Sequence, residues 1–292
     1  MSSHTPVGPK LARFTELLQR PDGRVQLGWD PDRAIVLAPP EGILAEEVVG
    51  VLRLMDGRTS RPTIMWSARE RGIRPDDMTA LLTELECAGL LDARPARPRL
   101  SVRVHGRGPL SDAVSEALPR HGVRVSRSAN GNADADARRW NDTCVVLADD
   151  LAIEPHLVRD LVRLGIPHLH VRLRDGRGVV GPMVLPGTTS CLRCADLSRS
   201  EQDEHWPHLA AQLVGTVGDA NPAMILATAA LTLAQIDAIA AADPDEPPAS
   251  LGATLEIDLD VPRVVIRRWP RQTRCSCRYL APGTGGIDDV RS

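Results

Sequence analysis

Four of the six cysteines stand in two close pairs, Cys191-x2-Cys194 and Cys275-x-Cys277. No apolar stretch lies near the N-terminus, so no signal peptide is expected and a reducing cytoplasmic setting is the default. In that setting close cysteine pairs are read as metal ligands before disulfides. Four thiolates complete one tetrahedral zinc and leave no position for water or substrate, so such a site is structural. It would tie the end of the chain back to the loop that follows a predicted strand at 179–185. Two free pairs, or one disulfide, are the alternatives. Cys87 and Cys144 have apolar neighbours in a predicted helix and strand, and read as buried cysteines rather than nucleophiles.

The 292 residues leave room for two domains of about 150 residues each. Apolar residues make up 42% and charged residues 25%, a globular composition. A net charge of −3 gives no global field toward nucleic acid or an anionic membrane. Of the 35 basic residues only Lys10 is a lysine, in a tail-like start. That excludes a Schiff-base lysine, a pyridoxal-phosphate lysine and the lysine of a P-loop. Five Trp, Phe14 and Tyr279 are too few aromatics for a base-stacking surface. The longest apolar run, Ala223 to Ala234, is rich in Ala and Thr with acidic flanks. It reads as a buried helix rather than a membrane span.

Residues 1–20 read as a tail and 21–97 as one small module. Val25–Leu27 and Ala34–Leu37 are short strand-like runs across the Asp30-Pro31-Asp32 turn. Three helices follow: one through Leu44, Val48, Val51, Leu52 and Met55, a weaker one over 62–71, and one from Pro75 to Gly89. Two strands and then three helices is the order of a winged-helix module. Arg94 to Pro98 reads as a linker. From 98 to 280 strands and helices alternate. Strands are predicted at 100–104, 123–125, 144–148, 168–171 and 179–185, then a helix from Pro222 and a hairpin of 254–259 with 264–269. This is an open, mostly parallel α/β sheet. Residues 281–292 read as a second tail.

Gly106-x-Gly108-x-x-Ser111 follows a strand and opens a helix, the setting of a phosphate-binding turn. Ser111 replaces the third glycine. The acidic residue expected about 20 positions on, to hold a ribose, is missing where Ser126-Arg127-Ser128 stands. Small residues also serve close strand–helix packing, and ATP is not expected to bind. Asp149 and Asp150 end the 144–148 strand, where they suit magnesium or, more simply, a helix cap before Leu151. His168 and His170 share one face of a strand and read as its polar end; His205 and His208 read as surface residues.

The run Gly181–Leu197 (GPMVLPGTTSCLRCADL), the later Trp206-Pro207 and Gln212-Leu213, and the closing Cys-x-Cys resemble the ThiF-like, ubiquitin-activating-enzyme-like proteins of bacterial ribosomal-peptide biosynthesis. These are the cyclodehydratase partners, or precursor leader-peptide-binding proteins, that work beside YcaO-type enzymes. The resemblance covers about 20 to 280. It implies a Rossmann-type sheet with a structural zinc on Cys191, Cys194, Cys275 and Cys277, preceded by a peptide-recognition module. The adenylation residues of active members do not map onto this chain, so no catalytic residue is assigned. The helix 222–242 would serve as a homodimer face or an ordinary core element.

The first module has two functional readings. Residues 21–97 hold 10 Arg against 13 Asp plus Glu, and the third helix carries Asp76, Asp77, Glu84 and Glu86 without an Arg. That argues against phosphate contact. A peptide binder would use an open sheet edge, to which a leader peptide adds as a strand. The candidate edge is Arg33, Ala34, Ile35, Val36 and Leu37; the candidate helix face is Asp77, Thr79, Thr83 and Glu86. A plain packing module is the bland alternative. The expected function is therefore capture of a precursor peptide for a YcaO-type enzyme. An ATP-dependent adenylyltransferase and a winged-helix DNA regulator are the alternatives.

Overall fold

The computed structural model describes residues 8–12, 15–91, 100–129, 136–241 and 247–279. The predicted linker at 94–98 and the tail at 281–292 lie outside these. The chain divides into two compact units, Met1–Ala96 and Arg97–Ser292.

The N-terminal unit is a three-stranded antiparallel sheet followed by three helices. The strands are β1 (Leu17–Gln19), β2 (Val25–Leu27) and β3 (Ile35–Leu37), in the order β1-β2-β3. The tail expected over 1–20 thus contributes a strand, and Lys10 and Leu11 form bridges to Asp56 and Leu91. Leu18 and Gln19 are exposed, so β1 carries none of the apolar alternation that marks a half-buried strand. The second predicted strand is shorter than expected. Arg33 and Ala34 belong to the turn, where both backbone N–H groups donate to the Asp30 carbonyl. Helix α1 (Ala45–Leu52) buries Val48, Val49, Val51 and Leu52. Helix α2 (Arg61–Glu70) starts at the Ser60 side chain, which accepts from Thr63 N, with Pro62 in its first turn. Helix α3 (Pro75–Cys87) buries Met78, Leu81, Leu82 and Leu85 at helical spacing. Cys87 is exposed, against expectation, because it falls on the solvent side of that stripe.

The C-terminal unit is built on a seven-stranded sheet in the order β10-β9-β8-β7-β6-β4-β5. Four strands run parallel: β4 (Ser101–His105), β5 (Arg124–Ser128), β6 (Cys144–Ala148) and β7 (His168–Arg174). Then β8 (Arg177–Val184), β9 (Ala253–Asp258) and β10 (Arg263–Arg268) extend the sheet antiparallel. The strands expected to alternate with helices through 171 are thus parallel, and the three that follow make the whole sheet mixed. Only Asp175 and Gly176 separate β7 from β8, both at positive φ, and so short a turn allows only a hairpin. β6 is buried on both faces, as a central parallel strand with helices above and below must be.

Helices α4 (Pro109–Ala117) and α8 (Pro222–Ala241) belong to one hydrophobic cluster with β4, β7 and β8, while α5 (Pro155–Arg163) and α6 (Leu192–Gln202) belong to another with the four paired cysteines. Helix α7 (Trp206–Gln212) follows α6. Among the described residues α8 is the one helix long and apolar enough to cross a membrane by composition. It instead buries Met224, Thr228, Thr232, Ile236 and Ile239 against the sheet, with Thr228 and Thr232 hydroxyls donating to carbonyls one turn back. Its outer side is not buried as expected: Leu226 is 65% exposed.

Candidate metal centre and sheet-end crevice

Cys191 is the N-cap residue of α6 and Cys194 lies in its first turn. The approach is fixed by Thr189, whose hydroxyl accepts from Leu185 N at 2.9 Å. Cys275 and Cys277 flank the start of a short 3-10 turn, Ser276–Tyr279. All four side chains are buried, and their sulfurs lie within 4.8 Å of one another. Cys191 Sγ is 3.8 Å from Cys194 Sγ and 3.6 Å from Cys275 Sγ; Cys194 Sγ is 3.5 Å from Cys277 Sγ. A tetrahedron with metal–sulfur bonds of about 2.3 Å has edges of about 3.8 Å, so the four sulfurs fit one ion of that kind. Gln272 N–H points at Cys194 Sγ from 3.5 Å, the kind of outer donor that steadies a thiolate. The hydrogen bond from the Cys191 thiol holds Cys194 below the usual cysteine range, while Cys191 is pushed up. A closed set of four thiolates offers no open position, so its chemistry is cross-linking.

The glycine turn forms as expected between β4 and α4. A Cβ at Gly106 would collide with the Ala148 carbonyl, and one at Gly108 would sit 2.8 Å from the Asp149 carboxyl group. Asp149 is the feature that sequence reading misassigned. It caps neither a helix after Leu151 nor an open metal position. Its carboxylate turns back to α4 and accepts from Leu110 N at 2.9 Å and from Ser111 N at 3.3 Å. These are first-turn N–H groups, which a bound phosphate would take at such a turn. Asp149 is fully buried and reaches them with φ at +74°. A strap covers the same crevice: Leu151 N donates to Thr216 O at 2.9 Å and Gly218 N to Asp149 O at 3.1 Å. Ser111 is buried and spends its hydroxyl on Gly108, accepting from its N–H at 3.1 Å and donating to its carbonyl at 2.9 Å.

The strand β7 histidines are buried and bonded to backbone. His168 Nδ1 lies 2.8 Å from Ile166 O, and His170 Nε2 lies 2.9 Å from Asp150 O. Burial lowers His168 to about 4 and His170 well below the usual histidine range. His205 and His208 are exposed, as expected. Cys144 is buried, and burial pushes its thiol up to about 12, the opposite of a nucleophile.

In the N-terminal unit β3 ends the sheet, and among the described residues no strand pairs with its outer edge. Of the helix residues singled out, Asp77 is bound by the Arg74 guanidinium at 2.8 Å. Thr79 and Thr83 are exposed, with hydroxyls donating to Pro75 O and Thr79 O. Two exposed aromatics were not singled out from the sequence: Trp29 in the β2–β3 turn and Trp66 on α2.

With strand order, crevice and cysteine cluster in place, solved structures can be compared. The heterocyclase TruD superposes with a TM-score of 0.64 at 14% identity, over 94% of this chain and 43% of its own. The fold is shared with TruD and with MccB. Escherichia coli MccB with ATP superposes at 0.57 and 14% identity, over 92% of this chain and 99% of its own. MccB with MccA-N7isoAsn superposes at 0.56 and 15% identity, over the same 92% and 99%. The chain spans less than half the length of the heterocyclases it matches. No protein-family description and no curated relative matches the sequence.

Proposed function

We propose that this protein captures the leader segment of a ribosomally made precursor peptide and presents it to a separate YcaO-type cyclodehydratase. The N-terminal unit would act as a winged-helix-like recognition module, and the C-terminal unit as a zinc-stapled scaffold without adenylation activity. The observation that carries the reading is that, among the described residues, no strand pairs with the outer edge of β3 in a short sheet. A peptide strand there gains backbone hydrogen bonds from a ready template and specificity from alternate side chains. Two further features support it. A neighbour in fold, MccB, was solved together with MccA-N7isoAsn, and in this chain a carboxylate occupies the N–H groups that a nucleotide phosphate would need. A cytoplasmic location would keep the thiols reduced, as the metal reading requires.

The test is fluorescence anisotropy with a labelled leader peptide from the precursor encoded beside the cyclodehydratase. Micromolar or tighter binding is expected, with at least a tenfold loss in Val36→Pro, provided circular dichroism shows the variant folded. Capture that survives both Val36→Pro and Ile35→Lys would exclude strand addition at β3. Zinc is tested separately: elemental analysis should find one ion per chain, and chelation or Cys194→Ser should lower the melting temperature of the C-terminal unit by more than about 10 °C. A calorimetric titration with Mg·ATP should give no saturable heat. Micromolar binding would favour the adenylyltransferase reading, for which the likeness to ATP-bound MccB is the specific support.

A further inference from the structure

Below α6 and α7, at the end of β7, lies a second cavity of about 640 Å³. Small-molecule sites span roughly 300 to 1,000 Å³. Its wall includes Leu151, Ile153, Val158 and Leu192, which are apolar, and Arg172. Arg172 is only 5% exposed. Its Nη1 donates to His170 Nδ1 at 2.9 Å and reaches Gly181 O at 3.5 Å. The donation is consistent with a neutral His170 that gives its Nε2–H to the Asp150 carbonyl. Nε and Nη2 of Arg172 have no protein acceptor among the described residues, and no carboxylate pairs with this side chain.

Charges of both signs line the cavity: Arg172, Arg174, Arg199 and Arg267 with Asp175, Asp196 and Asp203. Arg199 is held by Asp196 at 2.9 Å, and Arg174 by Glu256 at 2.5 Å. Those two carboxylates are thus engaged by other arginines rather than by Arg172. Burial, helped by Arg199 and Arg174, pulls Arg172 down to about 9, which leaves it protonated at neutral pH. An unpaired buried charge costs several kcal/mol, so chains rarely keep one without a partner. Arg199 is in turn braced over the Trp206 and Trp269 rings, at 5.1 and 4.5 Å from their centroids.

We propose that this cavity binds one oxyanion, a carboxylate or phosphate group carried on an apolar body, with the free edge of the Arg172 guanidinium as its anchor and the aliphatic wall around the rest. The planar fork of Arg suits either head group in two-point contact. The site is separate from the crevice at Asp149 and does not depend on peptide capture by the N-terminal unit.

The experiment titrates the zinc-loaded full chain with benzoate and with phenyl phosphate at constant ionic strength, with benzamide as the neutral control. Saturable binding of one or both acids is expected, with a rise in melting temperature and no effect of benzamide. Preference for benzoate assigns a carboxylate ligand, and preference for phenyl phosphate a phosphate one. Arg172→Met should weaken that binding at least tenfold. Should that variant not fold, the Arg172 Nε–H resonance of the unmodified protein should shift saturably with the same acid. Neither acid binding, benzamide binding equally well, or an Arg172→Met protein that binds normally would overturn the proposal.

Discussion

Two charged niches of the C-terminal unit lie at the same end of its sheet and are opposites. At the N-terminus of α4 a ready anion site is filled by the chain itself, through Asp149. At the end of β7 lies a buried cation, Arg172, with which no carboxylate pairs directly among the described residues. The first niche is complete and sealed by the 216–218 strap. The second is incomplete and opens into a cavity. A doubly wound sheet gathers ligand sites at the carboxyl ends of its strands. In this chain the usual crevice is closed while a neighbouring one carries the unsatisfied charge.

The sharpest way to break the comparison is at Asp149. Asp149→Ala strands two buried N–H groups and keeps a β-carbon at positive φ. It should cost about 3 to 5 kcal/mol in urea unfolding. Asp149→Gly removes the same carboxylate while suiting the backbone, so it should cost about 2 kcal/mol. Sulfate at tens of millimolar should restore part of that loss and do little for the unmodified protein. If sulfate stabilises both equally, α4 is not an anion niche.

Acid should reveal the cost of the β7 face next. His168 has a folded value near 4 against an ordinary 6.5, so the unfolded chain binds more protons between those limits. Its contribution is full above about pH 6.5 and is lost as pH falls toward 4, a swing of about 3 kcal/mol. Urea midpoints across that range should fall accordingly, and His168→Phe should flatten the slope. The smallest effect belongs to the exposed Arg120–Glu116 pair on and beside α4. Glu116→Ala should change stability by less than about 0.5 kcal/mol, which sets the scale for the buried positions.

Much of this was legible in the sequence for local reasons. Two cysteine pairs at ligand spacing announce a cluster whatever fold lies between them. Gly106 and Gly108 mark a tight strand-to-helix turn because no side chain fits there. The apolar stripes of α1 and α3 and the all-apolar β6 likewise depend on near neighbours. What escaped depends on distance along the chain. Asp149 reaches N–H groups 39 and 38 residues away, and nothing in its neighbourhood distinguishes that role from a local cap. β1 is short and exposed, so its pairing rather than its pattern makes it a strand. The reversal of direction at β8 is fixed by a two-residue turn, and periodicity carries no sign of strand direction. Arg172 is one of many arginines, and only the fold shows that it is buried with no carboxylate paired to it among the described residues.

The cysteine cluster has a consequence for synthesis. Cys191 and Cys194 leave the ribosome 84 and 81 residues ahead of Cys275. At about 5 to 20 residues per second the interval is roughly 4 to 16 s. Through that time the nascent chain carries an unpartnered dithiol while β9 and β10 have yet to be made. The cluster closes only after both strands have emerged, so the last thiols to be translated decide when the C-terminal unit is finished.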